Sequence, residues 1–316
     1  MTSEKKSLFK KVLVIIIAAI IAFSAVSMAA TKIIYDSIFT RYDAPNTQTP
    51  ATLSNLIEDR ATHQYFSGEN RLSGYLYRSD LKNGENALIV IAPGFRAAES
   101  SYLWQIKSLL SYGWSVFTFD PTGSCSSQGR SAIGFSQELC DLEATLKYIE
   151  QNDNFGYNDI ILLGHSRGGY AACCALEGDF DIAAAISISG INSAMEGVMS
   201  SAESRVGPLA YGNWGFLWLY QALLFGADRV NLSAHDAINQ SDVPVLIIHG
   251  DDDDQVSAER FSIYSHKDDI SSDTAKFLLM KKDGQDGHTS LLFDKNGQAN
   301  SALMAEINDF LHSSLA

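Results

Sequence analysis

The chain has 316 residues, is 46% hydrophobic and 19% charged, and carries a formal charge of −14. Beyond its N-terminal stretch about 270 residues remain, which suits one large α/β domain with an insertion. Lys5, Lys6, Lys10 and Lys11 all precede the first apolar run, so the rest is more acidic still and carries no Lys/Arg cluster; nucleic acid is not expected as a partner.

Residues 1–11 form a basic tail, and Val12–Ala30, VLVIIIAAIIAFSAVSMAA, carries no charge. That run is long enough to cross a hydrocarbon core of about 30 Å as one helix. The lysines before it, against mixed charges after it, predict a single-pass anchor in the cell membrane, with the C-terminal domain on the extracytoplasmic side. Ser27-Met28-Ala29 leaves the alternative of a cleaved signal peptide and a secreted domain. Residues 31–58, with the Pro-, Thr- and Asn-containing Thr40–Ser54, are expected to be a linker.

The domain is expected to run from 59 to 316. Residues 61–67 and 71–78 suggest an antiparallel pair, the second with alternating polar and apolar residues. ALIVIAPG at 87–94 has the continuous apolarity of a strand buried on both faces. Helical patterns at 99–112 and 135–152 alternate with strand patterns at 114–121 and 159–166. A helix from Arg167 and a strand at 181–190 come next. The segment 191–242 is too long for a plain loop and is predicted to form an inserted helical cap. Its most apolar part is NWGFLWLYQALLFGA, 213–227, which fits a cap core, an acyl-pocket wall or a membrane-surface contact. Strands at 243–250 and 275–282, a helix near 257–266 and a terminal helix at 296–314 complete the series. Repeated strand-then-helix means a mostly parallel central sheet covered by helices on both faces, with sites at the strands' C-terminal edge.

Gly164-His165-Ser166-Arg167-Gly168 has the form G-x-S-x-G between an apolar strand and a helix. In that setting the serine sits on a strained turn with its hydroxyl raised, and a Cβ in place of either glycine would collide with a neighbouring element. A serine needs a base to act as a nucleophile. The strand at 243–250 runs into Asp251–Asp254, and the strand at 275–282 into Asp283, Asp286 and His288. The order Ser, Asp, His along the chain fits Ser166 as nucleophile and His288 as general base, with one aspartate orienting the imidazole.

These residues give the chain, over roughly 60–315, a resemblance to the α/β-hydrolase superfamily, particularly its serine aminopeptidase-like and acyl-esterase-like branches. The resemblance implies an α/β-hydrolase fold with the cap inserted after the sixth strand. It also implies that Asp253 is the acid, because Gly250–Val256 reads G-x-x-D-x-x-V. Ala92-Pro93-Gly94-Phe95 is similar to the family segment that supplies half of an oxyanion hole, which implies the backbone N–H groups of Phe95 and Arg167 as its donors. Family members usually carry His where Pro93 stands. Asp120-Pro121-Thr122-Gly123-Ser124 resembles a structural D-x-x-G loop. Arg167 is expected to pair with a neighbouring acid.

The expected activity is hydrolysis of a carboxylic ester or lipid-like acyl substrate. The alternatives are an aminopeptidase-like peptide hydrolase and a non-catalytic surface-binding module of the same fold. No dinucleotide fingerprint, Walker loop or zinc spacing is present, so no cofactor or metal is expected. Cys125, Cys140, Cys173 and Cys174 are expected to be small buried thiols.

Overall fold

The computed structural model describes residues 3–43, 51–81, 86–152, 154–281 and 284–315. Helix α1 (Ser3–Ile38) precedes α2 (Ala51–Glu58), β1 (Ala61–Ser67), β2 (Asn70–Tyr77), β3 (Ala87–Ala92), α3 (Leu103–Ser111), β4 (Ser115–Asp120) and α4 (Ser136–Glu150). Next come β5 (Asp159–His165), α5 (Arg167–Cys174), β6 (Ile182–Ile188) and four cap helices: α6 (Ala194–Val206), α7 (Trp214–Phe225), α8 (Ala227–Asn231) and α9 (Ala234–Asn239). The chain closes with β7 (Val245–Gly250), β8 (Ala275–Met280) and α10 (Ser301–Leu315).

The strands form one eight-stranded sheet in the order β1-β2-β4-β3-β5-β6-β7-β8, antiparallel at β1-β2-β4 and parallel from β4 to β8. Every residue of β3, β4 and β7 is buried, as their unbroken apolar runs require once helices cover both faces. Strand β2 is also buried from Leu72 onward, despite its alternating sequence. Its polar atoms are bonded instead: Tyr75 Oη donates to Asp120 Oδ2 at 2.9 Å, and Tyr77 Oη bonds Glu99. The Asp120 loop is structural as expected, with Asp120 also accepting from Ser126 N at 3.0 Å and Glu99 N at 3.3 Å.

The insertion between β6 and β7 is helical, and its stops are encoded locally. The Ser193 hydroxyl caps α6 by accepting from Glu196 N at 3.2 Å, and Gly207 ends the helix at φ +61°. Gly226, at φ +87°, ends α7 in the same way.

Two expected segments take other forms. The stretch 257–266 contains no α-helix, only turns and a single 3-10 turn at Tyr264–His266. Tertiary bonds outcompete helix formation there: Asn192 N donates to Phe261 O at 2.8 Å and Ile263 N to Gly190 O at 3.0 Å, so the segment runs beside the loop after β6. The expected linker is largely ordered as well. Helix α1 extends to Ile38, and Tyr35, Ile38 and Phe39 enter the core because they are apolar on the side facing it. Beyond them, Tyr42 N donates to Gly123 O at 2.9 Å, while the Arg41 guanidinium donates to the carbonyls of Cys125, Ser127 and Gly129. Residues 44–50 of that stretch lie outside the described residues. No disulfide joins the four cysteines; Cys173 and Cys174 are buried as expected, whereas Cys125 and Cys140 are partly exposed because they lie near the surface of the 122–131 loop and of α4.

Candidate active site

Strand β5 delivers Ser166 to the C-terminal edge of the sheet, and α5 leaves at once. Ser166 has φ +57° and ψ −119°, a conformation that costs about 1–3 kcal/mol in a non-glycine residue. The surroundings enforce it. Ser166 N donates to Ile188 O at 2.9 Å, and Ser166 O accepts from Gly169 N at 3.0 Å. A Cβ on Gly164 would stand 2.0 Å from Gly168 O, and one on Gly168 would stand 2.0 Å from Ala92 O. Both glycines are sterically required.

Of the four aspartates after β7, only Asp253 is buried; Asp251, Asp252 and Asp254 are exposed, with Asp251 Oδ1 3.2 Å from Lys281 Nζ. Asp253 Oδ1 accepts from Gln255 N at 3.0 Å and from Val256 N at 2.8 Å. Burial alone would raise its pKa. The hydrogen bond and charge of His288, with the Val256 N–H, outweigh that effect and hold the carboxyl below its usual range.

His288 Nδ1 lies 2.8 Å from Asp253 Oδ2 and 3.1 Å from Oδ1. A carboxylate can only accept, so Nδ1 carries the proton and Nε2 is left as an acceptor. The two loops are joined through the main chain, since Asp252 N donates to Asp286 O at 3.1 Å. Gly250 permits that approach: a Cβ there would stand 1.9 Å from Asp286 O.

Ser166 and His288 line the same cavity, of about 620 Å³, together with Phe95, Phe135, Ile191 and Phe293. The Ser166 hydroxyl makes no hydrogen bond to the imidazole in this structure, a bond that commonly tightens only in the substrate complex. Phe95 lines the same cavity, and Arg167 is the first residue of α5, directly after Ser166.

The Arg167 side chain is buried and does not line the cavity. Its Nη2 is 2.8 Å from Glu138 Oε2, with the arginine 2% and the glutamate 0% exposed, and its guanidinium lies 5.6 Å from the Phe95 ring centre. This is the acid pairing expected for Arg167. Desolvation pushes the Glu138 carboxyl up to about 8, with the Arg167 charge opposing and Asp141 reinforcing the rise.

His165, inside the motif, is a residue whose contacts the motif conceals. Its Nε2 donates to the backbone carbonyl of His288 at 2.9 Å, and its Nδ1 lies 3.2 Å from Tyr102 Oη. Tyr102 Oη in turn accepts from Gly94 N at 2.9 Å. Burial drives the His165 pKa down to about 3, so the ring is neutral and each nitrogen keeps one role. One side chain therefore ties the His288 loop to the Gly94 loop, giving that loop the support that Pro93 does not supply. The signal in the sequence was the identity of the second residue of G-x-S-x-G: a polar aromatic at a position the motif leaves open. Among the described residues, no cluster of His, Cys, Asp and Glu is suited to a metal ion.

The sheet order, the elbow after β5 and the cap after β6 decide the fold. The chain is an α/β-hydrolase-fold protein. The family model for the alpha/beta hydrolase fold matches residues 87–209. Similar solved structures include an esterase of Pyrococcus furiosus, with a TM-score of 0.63 and 17% identity, covering 88% of this chain and 100% of that one. Est1E of Butyrivibrio proteoclasticus, solved with ferulic acid bound, gives a TM-score of 0.56 at 18% identity, over 80% of this chain and 99% of its own. An alpha/beta hydrolase of a Penicillium species gives 0.58 at 15%, over 81% and 99%. No curated protein matches this α/β-hydrolase in sequence.

Proposed function

We propose that this protein is a membrane-anchored serine hydrolase of carboxylic esters, working through an acyl-enzyme on Ser166. The observation that carries the reading is the Asp253–His288 hydrogen bond, which fixes the imidazole tautomer within the cavity where Ser166 is held on its strained turn.

His288 Nε2 accepts the Ser166 Oγ proton as Oγ attacks the ester carbonyl. The oxygen of the tetrahedral intermediate takes the negative charge, and the backbone N–H groups of Phe95 and Arg167 receive it; one such donor is worth roughly 10²–10³ in rate. Collapse expels the alcohol, which takes the proton from the His288 imidazolium. Water then attacks the acyl-enzyme, with the same imidazole as base, releasing the acid and restoring Ser166. Asp253 stays ionised throughout and stabilises the imidazolium.

Apolar Phe95, Phe135, Ile191 and Phe293 along the cavity favour an apolar acyl group, and the similar solved structures include the Pyrococcus furiosus esterase. Helix α1 is long and apolar enough to cross a membrane between Ser7 and Ile38. We read it as an uncleaved anchor with the catalytic domain extracytoplasmic. A packing contact inside the apolar run favours retention over cleavage: the Phe23 and Phe216 rings are 6.3 Å apart.

Pre-steady-state hydrolysis of p-nitrophenyl esters of graded acyl length, beside peptide p-nitroanilides, tests the reading. A burst of nitrophenol stoichiometric with enzyme, with the esters far ahead of the anilides, is expected. Faster turnover of the anilides would move the assignment to a peptidase, and turnover of neither would leave a binding module of this fold.

A further inference from the structure

Helix α7 carries no charged residue over Trp214–Phe225. Its inner face is committed: Leu217, Tyr220 and Gln221 are buried. Its outer face is apolar too, with Leu223 71%, Trp214 48%, Leu219 41% and Leu224 41% exposed, and Tyr211 just ahead of the helix 46% exposed. A helix apolar on all sides belongs in a core or in lipid. Half of α7 is not in the core.

What covers that half is indicated by its neighbour. Helix α7 packs on the anchor: Asn213 Nδ2 donates to Thr31 Oγ1 at 2.7 Å, Tyr220 Oη donates to Asp36 Oδ1 at 2.8 Å, and the Tyr35 and Tyr220 rings are 5.1 Å apart. Lower on the anchor, Phe216 meets Phe23. Phe23 lies seven residues before Ala30, the end of the charge-free run, which is about 10 Å of helical rise. If α1 spans the bilayer, Phe23 is inside hydrocarbon, and the Phe216 ring that touches it is at membrane depth as well. The polar groups lie at the other end of the contact, where Lys32 pairs with Asp36 at 2.5 Å. Tyr211, Trp214 and Trp218 add the aromatic side chains favoured at membrane interfaces.

We infer that the outer face of α7 is a second membrane contact, lying in the leaflet from which α1 emerges, with Leu219 and Leu223 among the acyl chains. An interfacial helix buries its apolar side by about 5–10 Å, which matches the depth set by Phe23. The end of the anchor also packs on the wall of the catalytic cavity. Phe39, just beyond α1, packs edge-on against Phe95 at 5.4 Å and Phe135 at 5.0 Å, and both of those rings line the cavity.

This surface rests on reading α1 as a spanning anchor, so the test separates the two. The full chain, with Cys125 and Cys140 replaced by Ser, is reconstituted in phosphatidylcholine nanodiscs carrying nitroxide-labelled lipid. A fluorophore is placed in turn at Leu223→Cys, Leu219→Cys, Val14→Cys within the anchor, and Leu81→Cys, an exposed site beyond the far end of β2. Quenching at 219 and 223 comparable to that at 14, and several-fold above that at 81, is expected. Quenching at 14 alone would overturn the α7 contact and leave the anchor standing. An unquenched position 14 would overturn the anchor, and the α7 surface with it.

Discussion

On the sheet side of the cavity, the functional groups are fixed by main-chain bonds and by approaches too close for a Cβ, whereas in the cap the helix α7, outside the cavity wall, keeps an apolar face half open. Gly164, Gly168 and Gly250 each stand within about 2 Å of backbone where a side chain would have to go. On α7, in contrast, Leu223 meets little protein at all. Apolarity in β3 and β7 makes core; apolarity in α1 and α7 is left exposed, as the proposed membrane contact requires. The difference assigns tasks, since the rigid side holds the candidate reacting groups in place and the open face of α7 is the surface inferred above to meet the membrane.

The sharpest way to break this comparison is to remove the rigid side's reacting groups. Ser166→Ala and His288→Ala should each lower kcat for p-nitrophenyl butyrate by roughly 10⁴- to 10⁶-fold, and the double variant should be little worse, because such groups act as a unit. Additive losses in steady-state kinetics would mean the two do not work together. Next in size, Asp253→Asn should cost roughly 10³- to 10⁴-fold in kcat, while Asp252→Asn, exposed and without contact to His288, should leave it within about twofold. Equal losses would shift the acid to another carboxylate.

Much of this rigid side was legible in the sequence, for a physical reason. Tight turns demand glycines, and buried parallel strands demand unbroken apolar runs, so β3, β5, β7 and the elbow all carry local marks. The acid was not marked locally. Four consecutive aspartates differ only in how the turn after β7 directs them, and the family likeness, not the residues, singled out Asp253. His165 was missed because its partners, Tyr102 and His288, are distant in sequence. The stretch 257–266 was misjudged because its helical pattern lost to main-chain bonds with residues 190–192, and the linker because Arg41 and Tyr42 are secured by carbonyl and amide groups of a loop some 80 residues away.

The positioning role of His165 gives a smaller effect. His165→Phe keeps the ring but deletes both hydrogen bonds, and should lower kcat roughly tenfold with KM little changed; one lost buried bond is worth about 1–1.5 kcal/mol. An unchanged kcat would make His165 mere packing. Smallest is the effect of pH on Glu138. Its folded pKa lies above the unfolded value, so its contribution to stability is full below about pH 4.5 and is lost as pH rises through about 8. Between those limits, stability in detergent should fall more steeply with pH for the wild type than for Glu138→Gln, as followed by chemical unfolding. Parallel curves would show that the pair does not titrate in this range.

Covalent labelling tests the central claim most directly. The full-length protein is treated with a fluorophosphonate, digested, and the modified peptide located by mass spectrometry, beside Ser166→Ala and His288→Ala. A single adduct on Ser166, absent from the first variant and formed far more slowly in the second, is the expected result. An adduct elsewhere, or labelling that survives the loss of Ser166, would contradict it.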